Sequence, residues 1–321
     1  MVVLITGAAG FIGSHLVDDY LDRGSQVVGV DNLSTGSRAN LTKALENERF
    51  FFVEADVCTQ LERIEQQLQY AGLKPDTILH FASPASPKDY AELPLQTMAA
   101  NSAGTRTCLE LAVGHRSRFL FASTSESYGD PQEHPQKESY WGHVNPVGPR
   151  SCYDESKRFG EALTIAYART RRLDGRIVRI FNTYGPRMRP NDGRVVPNFI
   201  RQALEGEPLT IYGDGKQTRS FCYVDDLVRG ITRYADAPSL AGNVINLGNP
   251  EELTILEFAT VVSETAGVAL RSVRVALPAD DPARRCPDIE KARALLGWQP
   301  TISLREGVAK TLANFRAALA Q

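Results

Sequence analysis

The sequence predicts an α/β protein in which a doubly wound parallel sheet carries a smaller C-terminal lobe. Three observations predict it: short apolar, β-branched runs recur along the first 180 residues, stretches of helical spacing separate them, and a glycine-rich turn follows the first run. Met1 to Thr6 reads as a strand buried on both faces, and Gly13 to Leu21 as the helix after it. Gln26 to Val30, Arg49 to Val53 and Thr77 to Phe81 are the next strands. A helix near Leu95 to Val113 precedes a strand at Phe119 to Ala122, and a helix near Tyr153 to Arg171 precedes one at Arg176 to Ile180. Alternation of this kind implies right-handed crossovers and a parallel sheet. After Gly185 the pattern loosens into strands at Leu209 to Tyr212, Val244 to Leu247 and Arg271 to Val275, mixed with helices near Asp225, Ile255, Ile289 and Leu304. The expected division is residues 1–184 for a dinucleotide-binding unit and 185–321 for a substrate lobe, some segments of which return to the main sheet.

Composition narrows the function. With 42% hydrophobic and 23% charged residues and a net charge of -2, the chain has ordinary globular content. It lacks the basic excess that would suit nucleic acid or an anionic membrane. An anionic ligand must then be held by a few placed arginines. The five cysteines form no CxxC pair and the five histidines are dispersed, so reduced thiols, a cytoplasmic location and no metal site are expected. No signal-peptide pattern opens the sequence, and no apolar run reaches the roughly 18 residues of a membrane span.

Gly7-Ala8-Ala9-Gly10-Phe11-Ile12-Gly13 sits between the first strand and the first helix. Gly7 permits the turn, Gly10 lets backbone approach a pyrophosphate, and Gly13 lets helix and strand pack closely. The N–H groups at the start of the helix, Phe11 and Ile12 among them, then face the phosphates. This is the Rossmann arrangement, and its expected cofactor is NAD: Asp31, ending the second strand with Asn32 beside it, is placed for the adenosine ribose hydroxyls and repels a 2′-phosphate. Asp56, followed by Val57, is an adenine contact or a helix N-cap. Phe81, Ala82 and Ser83 follow the fourth strand on the nicotinamide side of the cleft. Asn101 is either a structural polar residue or a support for the catalytic groups.

Tyr153 and Lys157 lie one helical turn apart, on one face. An ammonium beside a phenol favours the phenolate, which can take a proton from a substrate alcohol as hydride leaves the carbon. Thr124 or Ser125, at the carboxyl end of the fifth strand, completes a hydroxyl–Tyr–Lys set.

The stretches GAAGFIGSHL, HFASPASP, STSESYGDP, YWGHVNPVGPRSCYDESKR, RIFNTYGPRM, YGDGKQTRSFCYVDDL, NLGNPEELTILEFA and DDPARRCPDI resemble the extended short-chain dehydrogenase/reductases that act on nucleotide sugars, most closely the UDP-glucuronate decarboxylases (UDP-xylose synthases), and the similarity runs nearly end to end. The related 4,6-dehydratases resemble Thr-Asp-Glu where this chain has Thr124-Ser125-Glu126, so dehydration is disfavoured. The resemblance implies oxidation at sugar C4, loss of CO₂ from the resulting β-keto acid, protonation at C5 and return of the hydride, with the cofactor regenerated and no metal required. Glu126 and Arg285 are implied at the reacting end of the sugar, with Arg284 the alternative to Arg285. Asn182 and Arg219 are implied for the UDP phosphates and Tyr212 near the uracil, with Arg187 and Arg194 as further candidates. A 4-epimerase acting on UDP-uronates is the alternative enzyme, and a non-catalytic dinucleotide sensor the alternative of another class. A homodimer built on the helices near Leu95–Val113 and Tyr153–Arg171 is implied as well.

Overall fold

The computed structural model describes residues 1–277 and 284–319. β1 (Val2–Thr6), α1 (Phe11–Asp22) and β2 (Gln26–Asp31) open the chain, followed by a short helix α2 (Thr42–Leu45), β3 (Phe50–Glu54), α3 (Leu61–Tyr70) and β4 (Thr77–His80). Next come α4 (Pro87–Glu92), α5 (Pro94–Ala99), α6 (Thr105–His115), β5 (Arg118–Thr124), α7 (Ser151–Arg171) and β6 (Gly175–Ile180). The single helix expected at Leu95–Val113 is interrupted: α5 and α6 are joined by a π-turn over Ala100–Gly104. That wide turn carries Asn101, fully buried, towards β4 and α7.

The rest of the chain holds β7 (Thr183–Tyr184), α8 (Val195–Glu205), β8 (Leu209–Tyr212), β9 (Thr218–Ser220), β10 (Cys222–Tyr223), α9 (Val224–Asp236), β11 (Val244–Leu247), β12 (Glu252–Thr254), α10 (Ile255–Ala266), β13 (Ser272–Val275), α11 (Glu290–Leu296) and α12 (Leu304–Leu319). Among the described residues, seven strands form the main sheet in the order β11-β6-β5-β4-β1-β2-β3, every neighbouring pair parallel. β11 therefore belongs to the main sheet although it lies far beyond residue 184, and β13 pairs with β8 instead.

Both faces of this sheet are covered by helices. Apolar residues of the central strands consequently divide between two cores, Val3, Ile5 and Leu79 on one side and Leu4, Ile78 and Phe121 on the other. Polar groups trapped in the sheet are paired. His80 is hydrogen-bonded to Thr6 Oγ1 at 2.8 Å and Thr105 Oγ1 at 3.1 Å, and burial pushes its pKa down to about 3, so it is a neutral clamp between β1, β4 and α6. The order of pairing reverses at β1, which lies between β2 and β4; ligand crevices in such sheets open there, outside the carboxyl ends of the strands.

The C-terminal lobe is latched to α9. The buried Trp298 donates from Nε1 to Asp226 O at 2.9 Å, and the fully buried Asp226 carboxylate accepts from Thr301 N, Thr301 Oγ1 and Ile302 N. α10 starts on a capping box in which Thr254 and Glu257 satisfy each other's backbone N–H groups.

One close contact sets the height of α7 above the sheet. A Cβ on Gly160 would stand 2.3 Å from Phe121 Cζ, and Phe121 is fully buried. Gly160→Val is therefore expected to destabilise the fold by about 2 kcal/mol. A chemical-denaturation midpoint equal to that of the unsubstituted protein would refute the contact.

Candidate active site

A cleft of about 530 Å³ opens at the strand-order reversal and is roofed by the second lobe. Its floor begins with the glycine loop. Gly7 has φ +71°, and a Cβ there would lie 2.7 Å from the Phe81 carbonyl group; a Cβ on Gly13 would lie 2.0 Å from Gly7 O. These contacts bring β1, the turn and α1 together without side chains between them. Gly10 caps α1 with no side-chain hydrogen bond, so the first-turn N–H groups around Phe11 and Ile12 face the cleft without a polypeptide cap. An uncapped helix N-terminus on a glycine cradle is what a dinucleotide pyrophosphate requires, and the residues fit that group.

The residues expected near the adenosine are arranged differently from the sequence reading. Asp31 is buried, and its carboxylate accepts from Ala9 N at 2.9 Å and Leu33 N at 2.8 Å, so it holds the glycine loop itself. Burial raises its pKa against those two hydrogen bonds. Asp56 accepts from Cys58 N at 2.7 Å and Asn32 Nδ2 at 3.0 Å; it closes a local turn, and Gln60 is the N-cap of α3. Asp31, Asn32, Asp56, Val57 and Ala82 do not line the cleft, whereas Phe81 and Ser83 do. Thr35, Ser37 and Asn40 line it instead. The hydroxyl- and amide-rich run around them was the available signal, but such runs are common in loops.

Thr124, Ser125, Glu126, Tyr153 and Lys157 meet in the middle of the cleft. The Tyr153 hydroxyl hydrogen-bonds Thr124, and the ring stacks on Tyr90 with centroids 5.1 Å apart. Lys157 Nζ donates to Ala122 O at 2.7 Å and lies 5.8 Å from the Tyr153 ring centroid. Burial raises the Tyr153 pKa, against the lowering effect of Thr124. Burial also pushes Lys157 down to about 7, against the attraction of Glu161. Asn101 Nδ2 donates to Ser83 Oγ and to Ser156 Oγ, both at 3.0 Å, tying the nicotinamide side of the cleft to the turn of α7 between Tyr153 and Lys157.

Glu126 is the electrostatic hub. Arg285 Nη1 donates to its Oε1 and Arg150 Nη2 to its Oε2 at 2.6 Å, while Arg285 Nη2 reaches Gly129 O at 3.2 Å. Burial would raise the Glu126 pKa, but the charges of Arg285 and Arg150 outweigh it and hold the carboxyl below its ordinary value. Between the two candidates, Arg285 is the buried one that lines the cleft and Arg284 is exposed. The preceding Asp280, Asp281, Pro282 and Ala283 lie outside the described residues. Arg150 was missed: it sits just before α7, and nothing in its spacing distinguishes it from a solvated loop cation.

Asn182, Arg187, Arg194, Tyr212 and Arg219 all line the second-lobe wall. Arg187 is ion-paired with Asp18 at 2.6 Å and Arg194 with Asp192 at 2.5 Å. Tyr212 projects at the end of β8 with 42% exposure, available for stacking. His134, Glu252 and Cys286, distant in sequence, are brought together outside the cleft.

The model of the NAD dependent epimerase/dehydratase family matches residues 3–248. The chain is 47% identical over 317 residues to UDP-glucuronic acid decarboxylase 1 of Xenopus tropicalis, covering 99% of this chain and 72% of that protein. It is 50% identical over 314 residues to UDP-glucuronic acid decarboxylase 2 of Arabidopsis thaliana, covering 98% and 68%. Among solved structures, UDP-glucuronic acid 4-epimerase from Bacillus cereus in complex with UDP-glucuronic acid and NAD superposes with a TM-score of 0.88 at 31% identity, covering 99% of this chain and all of that one.

Lys157 makes the site visible in a pH titration of stability. Its folded pKa, about 7, lies below the ordinary 10.5, so between those values the unfolded chain binds the extra proton and stability rises with pH. The stability of the unsubstituted protein relative to Lys157→Met should climb by up to about 1.4 kcal/mol per pH unit above pH 7. A difference that stays flat to pH 10 would contradict the burial of this amine.

Proposed function

Because the chain belongs to the NAD dependent epimerase/dehydratase family, we propose that it decarboxylates UDP-glucuronate to UDP-xylose. The observation that carries this reading is Glu126, held between Arg285 and Arg150 beside the Thr124–Tyr153 pair. The glycine cradle and the uncapped start of α1 would hold NAD, which when bound would supply a reversible hydride acceptor for sugar C4.

Tyr153 takes the C4 hydroxyl proton. Burial opposes the phenolate and the ammonium separately, but a charged Tyr153–Lys157 pair formed together offsets much of that cost. Thr124 holds the phenolic oxygen on the substrate side. The new ketone is β to the C6 carboxylate, so when CO₂ departs the bonding pair passes into the ketone as an enolate, and Tyr153 donates its hydrogen bond to that oxygen. Arg285 faces the carboxylate with Nη1 engaged by Glu126 and Nη2 by Gly129 O, while its buried Nε has no partner. It orients the leaving group without forming a full ion pair that would have to be broken. Ser125, lacking a carboxyl group, offers no acid for dehydration. Arg219, Asn182, Arg187 and Arg194 hold the diphosphate, and Tyr212 the uracil.

The active form is a homodimer in a reducing cytoplasm. Exposed Leu95 and Met98 on α5 and Phe159 on α7 support the pairing.

NMR of products from UDP-glucuronate and NAD should show CO₂ release and UDP-xylose; retained carboxylate with inverted C4 would assign the 4-epimerase reaction instead. Tyr153→Phe should lose at least about 10²-fold in kcat while still binding NAD. Glu126→Gln should slow decarboxylation more than oxidation, seen as accumulated NADH absorbance, and an unchanged balance would remove Glu126 from the second step. Phe159→Glu is expected to convert the dimer to monomer in light scattering; a monomeric parent protein would exclude this interface.

A further inference from the structure

Behind the Arg285 strip, outside the cleft, three segments converge. The chain around His134 runs beside Cys286–Asp288: Gln136 N donates to Cys286 O at 2.9 Å, Cys286 N to Gln136 Oε1 at 2.9 Å, and Asp288 N to Gln136 O at 2.9 Å. Glu252 arrives on β12, which pairs with β9. His134 Nε2 is 3.0 Å from Glu252 Oε2, and one ligand atom from each of His134, Glu252 and Cys286 lies within 4.8 Å of the other two. An imidazole, a carboxylate and a thiol form a donor set suited to a borderline-soft ion. Zinc at about 2.0–2.3 Å from each ligand would separate them by roughly 3.2–3.8 Å, closer than the 4.8 Å limit within which they now lie.

The surroundings orient the set. Thr218 Oγ1 donates to Glu252 Oε1, leaving Oε2 for the third corner, and the Cys286 thiol donates to Pro250 O at 3.3 Å, a bond that metal binding would exchange for the metal–sulfur bond. Cys286 is buried, whereas the His134 and Glu252 side chains are about a quarter exposed, so an ion can enter from their side.

We propose that His134, Glu252 and Cys286 form an inhibitory zinc site with water as fourth ligand. Binding displaces the thiol proton to solvent and leaves a thiolate on the metal, with no change of oxidation state. The site is coupled to the cleft through the backbone. Cys286 follows Arg285, and Glu252 and Leu253 of β12 pair with Ser220 and Arg219 of β9. One ion would thus fasten the strips that carry Arg285 and Arg219, two residues assigned to the substrate. The effect on turnover rests on the decarboxylase reading; the zinc stoichiometry does not.

The test titrates the full-length, NAD-loaded protein with zinc chloride against a chromophoric chelator and measures turnover in parallel. The unsubstituted protein should take up about one zinc per chain and lose most of its turnover, and Cys286→Ser and His134→Ala should each abolish both effects while keeping metal-free turnover. Cobalt should give a thiolate charge-transfer band that Cys286→Ser removes. Glu252→Gln, a nearly isosteric change, should weaken zinc uptake and guards against variants that fail to fold. No uptake by the unsubstituted protein, or equal uptake by Cys286→Ser, overturns the site; full uptake with unchanged turnover overturns the coupling.

Discussion

The cleft depends on a buried carboxylate shared by two arginines. Glu126 follows β5, Arg150 precedes α7, and Arg285 lies near the C-terminal end of the second lobe. Arg285 is buried and Glu126 and Arg150 keep only 14% and 19% of their side chains exposed, so each charge offsets the desolvation of the others. The triad therefore binds the sheet, the Tyr–Lys helix and the second lobe into one wall. It also fixes the charge presented to a sugar carboxylate: one negative and two positive groups, net attraction without a dedicated ion pair. Such a balance is suited to holding a group that must later depart as neutral CO₂.

The architecture was legible where local periodicity decides it. Strands buried on both faces must be apolar throughout, and the glycine loop must be small because β1, α1 and the Phe81 backbone approach within contact distance. Tyr153 and Lys157 were legible because helical spacing converts sequence distance into a shared face. The π-turn at Ala100–Gly104 was not, since nothing in its composition separates it from an ordinary helical turn. Placing β11 in the main sheet required knowledge of which strand β6 pairs with, a long-range fact.

The site residues divide along the same line. Asp31 was found by its position at the end of β2, yet its carboxylate is engaged by Ala9 and Leu33 backbone N–H groups, a detail that position alone does not encode. Arg150 and the His134–Glu252–Cys286 group escaped notice because their chemistry arises from segments up to 152 residues apart. Conversely, the resemblance stated from long sequence stretches selected Arg285 without geometry, and its burial beside Glu126 shows why Arg284 does not line the same wall.

The seventh strand has a consequence for how the chain can be divided. β6 is bordered on one side by β5 and on the other by β11, which comes from deep within the second half of the sequence. A fragment ending at Tyr184 would leave the β6 backbone, with its apolar Ile177 and Val178, as an open edge able to recruit foreign strands. The nucleotide-binding half is thus not an interchangeable module. Recombination or ribosomal pausing near that boundary would yield a sticky intermediate, so the two halves are constrained to be inherited and synthesised as one unit.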